Sequence, residues 1–249
     1  KSYIVVTIVK FIVVKFIVLP YIVPQWYAGK GLAVGGDWCY FNWLAVDLAN
    51  AIKEHGWSAW VLRPGVIGQA PAGIAGALYA LSTPHSGVLI PLNSALHAGV
   101  ALVLVLIVRR FTRDTAFAVY AAMPFLLFPS AMLWYTQLHK DGFSCLGVFL
   151  FIYGWCVLID SFRDGLNFKK FFSICGYIFG GTFFVWIVRP YEVRLMQAIS
   201  LFFLLFPMFI FAVYSAIRRS FTWNLIFVLL AGTLFVAGIS PFSRENCML

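Results

Sequence analysis

Charge is what this chain has least of. Charged residues make up 11% of its 249 positions, and only 9 of them are acidic, against 18 lysines and arginines. Soluble domains average about a quarter charged and about half apolar residues, whereas 62% of this chain is hydrophobic. The composition excludes an ordinary water-soluble domain and indicates lipid as the solvent. The formal charge of +9 is then explained by cytoplasmic anchoring of membrane helices, and no nucleic-acid partner is expected.

Cysteine is also scarce. The 5 cysteines include no Cys-x-x-Cys pair, and Cys145, Cys156 and Cys175 fall inside apolar stretches, where a small apolar residue suffices. Neither a disulfide framework nor a zinc site is expected from this pattern.

Long apolar stretches are abundant instead. A helix needs about 20 apolar residues to cross the hydrocarbon core, and the stretches that qualify are 3–24, 88–108, 115–137, 142–159, 171–188, 195–217 and 221–242. The sequence therefore predicts an all-α, multi-pass bundle of about seven spans in the cell membrane, forming a single membrane domain over residues 1–249. The first span contains Lys10 and Lys15, and we expect snorkelling toward the cytoplasm or contact with neighbouring helices to relieve these charges.

Basic residues predict the orientation of the spans. They cluster in alternate connections, at residues 109–113, 163–170 and 218–219. Because positive clusters at the ends of spans stay on the cytoplasmic side, the long connection 25–87 and every second connection after it are predicted to be extracytoplasmic.

The long connection is predicted to contain two surface helices. Over residues 41–54, one helical face carries the apolar side chains of Trp43, Leu44, Leu48, Ala51 and Ile52, and the other face is polar. This pattern is typical of an amphipathic helix lying on the membrane surface. A second helix over residues 70–82 is rich in small residues, and the alternative that it is a short span would reverse the sidedness upstream of it.

Three groups of polar residues are predicted on the extracytoplasmic face, each at a helix end. The first follows the first span, the second follows the third span, and the third follows the fifth span. In chain order the candidate residues are Asp37, Tyr40, His139, Lys140, Asp141, Arg189, Tyr191, Glu192 and Arg194.

This set suits the transfer of a sugar from a lipid phosphate. Lysine and arginine neutralise a phosphate leaving group, and a carboxylate accepts the proton of the acceptor. Asp37, beside a glycine pair, and Asp141 are the candidate catalytic residues, and Mg²⁺ or Mn²⁺ bridging both carboxylates is the one cofactor expected. Tyr40, His139, Tyr191 and Arg194 are candidate supporting residues.

Structural roles remain open for the same residues. Lys140 and Asp141 suit a helix cap, Arg189 and Arg194 suit lipid headgroups, and Glu192 suits a local ion pair with one of these arginines. His139 suits an interfacial structural role.

The order of these polar groups relative to the apolar stretches resembles that in the GT-C superfamily of membrane glycosyltransferases, in particular its protein-mannosyltransferase and aminoarabinose-transferase branch. The resemblance covers about residues 3–242. Its motifs are Gly36-Asp37 with Tyr40 after the first span, Trp134-Tyr135-Thr136-Gln137-Leu138-His139-Lys140-Asp141 after the third, and, between them, Pro71-Ala72-Gly73, Ala77-Leu78-Tyr79 and Ile90-Pro91-Leu92-Asn93.

The resemblance implies an inverting enzyme whose donor is a sugar on a polyprenyl phosphate or diphosphate and whose acceptor is a lipid, glycan or protein outside the cytoplasm. It implies that Asp37 is the base or metal ligand, although Trp38 stands where the family has a second acid. It also implies that Lys140 and Arg189 hold the donor phosphate, with only Lys140 in a matched motif. Members of the family are longer, so the chain is expected to be either a truncated copy or a short variant that relies on a partner.

Two other classes of function remain open. A transporter or flippase of lipid-linked saccharides would place its polar residues near the bilayer midplane, on broken helices. A non-catalytic membrane subunit would use the long connection as a docking surface.

Overall fold

The computed structural model describes residues 2–65, 70–165, 167–202, 205, 230, 232–234 and 236–238. The described part is predominantly helical, in agreement with the predicted class. The α-helices are α1 (Ser2–Val13), α2 (Asp37–His55), α3 (Ala70–Leu81), α4 (Ile90–Thr112), α5 (Thr115–Leu127), α6 (Pro129–Thr136), α7 (Asp141–Asp164) and α8 (Phe168–Val188). The chain forms two compact units, Lys1–Phe143 and Ser144–Leu249.

Shorter elements connect these helices. A π-helix (Val14–Ile22) extends α1, and 3₁₀ turns occupy Pro24–Trp26, Trp57–Ala59, Ser86–Leu89 and Pro190–Glu192. The strands β1 (Tyr27–Gly29) and β2 (Leu32–Ala33) pair antiparallel as a small hairpin. Residues 193–202 are helical again.

Among the residues that the structure describes, four helical segments are long and apolar enough to cross a membrane: Tyr3–Ile22, Ser86–Thr112, Asp141–Ser161 and Phe168–Val188. The predicted third span is not one straight helix, because α5 and α6 meet at an angle of 63°. Pro129 explains the break, since a proline disfavours the helical conformation of the residue before it, and Phe128 is extended. The bent pair gives a fifth span if it is counted as one. The predicted spans 195–217 and 221–242 lie mostly outside the described residues, so the count of seven stays a prediction.

The two lysines of the first span are held by neighbouring segments. Lys15 is 1% exposed, and its Nζ donates to the carbonyl of Gly31 and to Oγ of Ser86, each at 3.0 Å. Lys10 donates to the carbonyl of Leu126. That carbonyl lies at the end of α5, where the last helical turn leaves its carbonyls without intrahelical partners. Of the two predicted ways of relieving these charges, contact with neighbouring segments is the one the structure uses.

The helix predicted over residues 41–54 exists as α2, but it begins at Asp37, and its buried stripe shares only Leu48 and Ile52 with the predicted apolar face. Its buried positions repeat every three or four residues: Trp38, Phe41, Ala45, Leu48, Ala49 and Ile52. This stripe packs on α3, where Gly76 lies against Leu48 and the Tyr79 hydroxyl donates to Asn42 Oδ1 at 2.9 Å. Trp43, predicted on the apolar face, is 57% exposed. The reason is that the small residues of α3 allow close packing along this stripe.

In the second unit, α7 and α8 pack through small residues. A Cβ atom added to Gly147 would lie 2.5 Å from the carbonyl oxygen of Gly181, and one added to Gly154 would lie 2.7 Å from Ile178. Glycine at helix interfaces lets membrane helices approach closely. Around this contact lies a buried core that includes Phe151, Trp155 and Ile174.

Candidate functional site

Two segments distant in the sequence meet within the first unit: the hairpin before α2 and the residues before α7. The Ala33 amide donates to Oε1 of Gln137 at 3.0 Å, and Asn93 Nδ2 donates to the carbonyls of Gln137 at 2.9 Å and Thr136 at 3.2 Å. Gln137 is 1% exposed and Asn93 is also buried. Because buried amides are costly unless hydrogen-bonded, these bonds fix both segments. Gln137 and Asn93 have no separate role among the sequence predictions.

Trp38 sets the shape of the turn that precedes α2. Its indole nitrogen donates to the Ala33 carbonyl at 2.5 Å, which folds the side chain back over Gly36. A Cβ atom on Gly36 would lie 2.3 Å from the indole ring, so only glycine fits there. Gly35 has φ +90°, a conformation that side chains disfavour. The two glycines therefore allow the tight turn that places Asp37 at the start of the helix.

An aromatic cluster joins this turn to the segment before α7. Trp38 lies edge to face with Trp134, 5.3 Å between ring centroids, and 6.0 Å from His139. Trp134 and His139 are 4.7 Å apart. The structure thus brings together the first and second predicted polar groups.

Asp141 is bound by the same cluster. Its Oδ2 accepts a hydrogen bond from the Trp134 indole at 2.7 Å and lies 3.1 Å from Nδ1 of His139. The Asp141 amide is also 3.1 Å from that nitrogen. As the first residue of α7, Asp141 benefits from the positive end of the helix dipole. The predicted helix-start role and a role in a site are therefore compatible.

The charged groups of Lys140 and Asp37 differ from the carboxylate of Asp141 in having no ion-pair partner among the described residues. The Lys140 ammonium lies 5.3 Å from the centroid of Phe41, a cation–π contact that leaves its positive charge uncompensated. Asp37 is exposed in the first turn of α2. Within the described part of the chain, no residue pairs with the carboxylate of Asp37 and no carboxylate pairs with Lys140.

A shallow recess opens beside this cluster, with room for about one water molecule. The aromatic rings of Trp134 and Tyr135 line it together with the polar side chains of Asn93, Gln137 and His139. The amide and imidazole groups can hydrogen-bond a polar group of that size. Tyr40, a predicted supporting residue, is instead exposed on α2 and stacks on Trp43 with 6.0 Å between ring centroids.

The third predicted group lies in the second unit. Arg189 pairs with Glu192, with 2.7 Å between Nη1 and Oε1, and Glu192 Oε2 accepts a hydrogen bond from Ser144 at 2.9 Å. The expected local role of Glu192 is therefore confirmed. Tyr191 and Arg194 are exposed. A phosphate-binding role for Arg189 alongside Lys140 stays a prediction from the sequence.

Metal binding also stays a prediction. Among the described residues, no group of three or more histidines, cysteines, aspartates and glutamates could hold a metal ion. The predicted Mg²⁺ or Mn²⁺ site needed only Asp37 and Asp141, with phosphate as a further ligand, and Oδ2 of Asp141 already contacts Trp134 and His139.

Covalent catalysis by a thiolate or a phenolate of the protein is not favoured near this site. Burial raises the pKa of the Cys39 thiol, whose Sγ lies 3.5 Å from the Ala33 carbonyl. Burial raises the pKa of Tyr79 as well. Both groups are protonated at neutral pH, because a raised pKa favours the neutral form of a thiol or phenol.

Comparisons with models of protein families, with curated proteins and with solved structures find no match for this chain.

Proposed function

We propose that this chain is a membrane glycosyltransferase that moves a sugar from a polyprenyl-phosphate donor to an acceptor at the extracytoplasmic face of the cell membrane. The observation that supports the proposal is the contact between the Asp37 turn and the 139–141 segment, which places an exposed carboxylate and an uncompensated ammonium on neighbouring segments. In the sequence these residues are far apart, and both belong to the motifs that resemble the GT-C superfamily.

The proposed reaction divides the work between the two charges. An acceptor hydroxyl or amine attacks the anomeric carbon of the sugar, the bond from that carbon to the phosphate oxygen breaks, and the phosphate leaves on the lipid. Asp37 accepts the proton that the acceptor loses. Lys140 neutralises the negative charge that develops on the phosphate. His139, oriented by Asp141, lies in the recess beside them and contacts the substrate.

Replacing one carboxylate tests this proposal. The full chain, purified in detergent, is incubated with a polyprenyl-phosphate sugar and candidate acceptors, and lipid-phosphate release is measured. Asp37→Asn is expected to lower the rate at least about a hundredfold, which is the typical contribution of acid–base catalysis. Asp47→Asn is the matched control, because Asp47 is also an exposed aspartate on α2. Equal rates for both variants would remove Asp37 from the mechanism, and no turnover by the wild type with any acceptor would remove the proposed function.

A flippase or transporter of lipid-linked saccharides is the second candidate, and a specific observation favours it. The helix pair α5–α6 is broken at Phe128, and Lys10 binds the carbonyl of Leu126 beside that break. Charged groups at broken membrane helices mark transport sites. Cysteines introduced near Leu126 would react from both sides of the membrane, alternately, in a transporter, whereas reaction from neither side or from one side only would favour the enzyme.

A further inference from the structure

The hairpin tip and the residues before α4 form a second cationic cluster, separate from the proposed catalytic residues. Lys15 donates to the Gly31 carbonyl and to Ser86 Oγ, both at 3.0 Å, and Ser86 in turn donates to the Lys30 carbonyl at 2.5 Å. These bonds join the backbone of Lys30 to Ser86, the chain neighbour of His85. The cluster therefore contains two lysines and an imidazole within one small region.

No acidic residue in the described part of the chain balances these charges. The segments that form the cluster, residues 1–36 and 55–113, contain no aspartate or glutamate. Within the described residues, no carboxylate pairs with Lys15, Lys30 or His85. The hydrogen bonds of Lys15 go to neutral oxygens and use two of its three N–H donors. The charged form of a buried amine without a counter-ion is costly, so an anion at this position would favour that form of Lys15.

His85 offers a hydrogen-bond donor to such an anion. Its Nδ1 accepts the Gly87 amide at 3.0 Å, so the neutral ring has its proton on Nε2. The ring stacks on Phe16 with 5.8 Å between centroids and 4° between planes, which fixes its orientation. Burial, and then the positive charges of Lys15 and Lys30, lower the pKa of His85. The neutral imidazole therefore remains a donor at neutral pH, and the Lys30 ammonium is near enough to influence it.

We infer that Lys30 and His85, with the buried Lys15 amine hydrogen-bonded to both of their segments, form a binding site for a phosphate group. Lys30 is exposed and His85 is half-buried, so both are within reach of a ligand, while Lys15 joins their segments below the surface. The phosphate belongs either to a phospholipid headgroup or to free inorganic phosphate, and both present the same oxygens.

The test uses the full chain in detergent and two probes. Native mass spectrometry measures retention of phosphatidylglycerol against phosphatidylcholine, and thermal unfolding measures the affinity for inorganic phosphate at constant ionic strength. Lys30→Gln and His85→Phe remove the proposed contacts, and the phenyl ring preserves the stack on Phe16. Lys53→Gln is the matched control, since Lys53 is an exposed lysine on α2 and its loss changes the net charge equally.

The wild type and Lys53→Gln are expected to bind the phosphate probe about tenfold more tightly than Lys30→Gln or His85→Phe, the usual effect of one charge-assisted hydrogen bond. A difference confined to phosphatidylglycerol identifies a lipid headgroup, and one confined to inorganic phosphate identifies a soluble ligand. Equal binding by all four proteins would overturn the inference, and so would equal weakening by Lys53→Gln and Lys30→Gln, because net charge alone would then explain it.

Discussion

The indole of Trp38 meets that of Trp134 edge to face, with 5.3 Å between ring centroids and 87° between ring planes. The contact joins the first turn of α2 to the segment before α7, and these carry the two motifs that the proposed function needs. Such aromatic pairs contribute about 0.5–1.5 kcal/mol beyond the burial of their surface. Stability and activity are therefore expected to depend on the same few side chains.

Trp134→Phe tests the bond between the indole and Asp141. The phenyl ring keeps the aromatic contact but loses the donor to Oδ2, so the free energy of unfolding should fall by about 1 kcal/mol, and the transfer rate should fall as Asp141 loses its orientation. Thermal unfolding in detergent measures the first effect. Trp43→Phe is the control, because Trp43 is exposed on α2. Identical unfolding midpoints for the two variants would contradict the importance of this bond.

Gly36→Ala tests the turn that holds Asp37. The added methyl group would lie 2.3 Å from the Trp38 ring, so the indole must move and lose its bond to Ala33. We expect a loss of about 1–3 kcal/mol in the free energy of unfolding, as for other overpacked positions. Gly176→Ala in α8 has no heavy atom within 4 Å of the new methyl and should raise stability by about 0.5–1 kcal/mol. A Gly36→Ala protein as stable as the wild type would show that Trp38 adapts without cost.

His97→Phe is expected to stabilise the first unit. The imidazole is 0% exposed, and neither of its nitrogens has a hydrogen-bond partner among the described residues. It stacks on Phe125 at 4.7 Å and lies against Phe11 and Tyr135. A phenyl ring keeps this packing and removes the desolvation cost of the nitrogens, which is about 1–3 kcal/mol.

Gln137→Leu provides the opposite case, because it removes a buried amide that does have partners. It should lower the free energy of unfolding by about 1–3 kcal/mol, since the Ala33 amide loses its acceptor. Thermal unfolding of both variants gives the comparison. If His97→Phe proved as damaging as Gln137→Leu, the imidazole would have to be satisfied by a bound polar group.

His85 gives stability a defined pH dependence. Burial and then the charges of Lys15 and Lys30 lower the pKa of His85 in the folded protein from its usual 6.5, so the unfolded chain binds a proton at this position more readily. Stability is then fully present above about pH 6.5 and falls as the pH decreases through the interval between the unfolded and folded pKa values. Unfolding midpoints measured from pH 7.5 to pH 5 should decline less in His85→Phe than in the wild type, and parallel curves would rule out His85 as the cause.

The sequence was sufficient for most of the apolar helices that the structure describes. Composition and the length of the apolar stretches predict helices that match α4, α7 and α8 within a few residues, because a membrane-crossing helix must be long, apolar and hydrogen-bonded within itself. Asp37, Lys140 and Asp141 were likewise chosen as candidates because these polar residues lie next to predicted helix ends. None of these inferences required knowledge of which helices are neighbours.

The sequence was not sufficient for the buried face of α2 or the break between α5 and α6. Several helical faces of α2 contain apolar residues, and packing against α3 decides that Trp38 and Phe41 are buried while Trp43 is exposed. A proline such as Pro129 can bend or break a helix, but the angle between α5 and α6 depends on the surrounding contacts. Gln137 looked like one more polar residue at a helix end, and only its bond to Ala33 shows that it links two distant segments.

What the sequence determined by itself is therefore the class of the protein, a helical chain suited to lipid, because hydropathy and helix length are local properties. What only the tertiary structure decided is which charges are neighbours. Lys15 against Gly31 and Ser86, Trp38 against Trp134, and Lys140 against Phe41 join residues that are separated along the chain. Such contacts arise from packing between helices, and the order of residues along one helix does not contain that information.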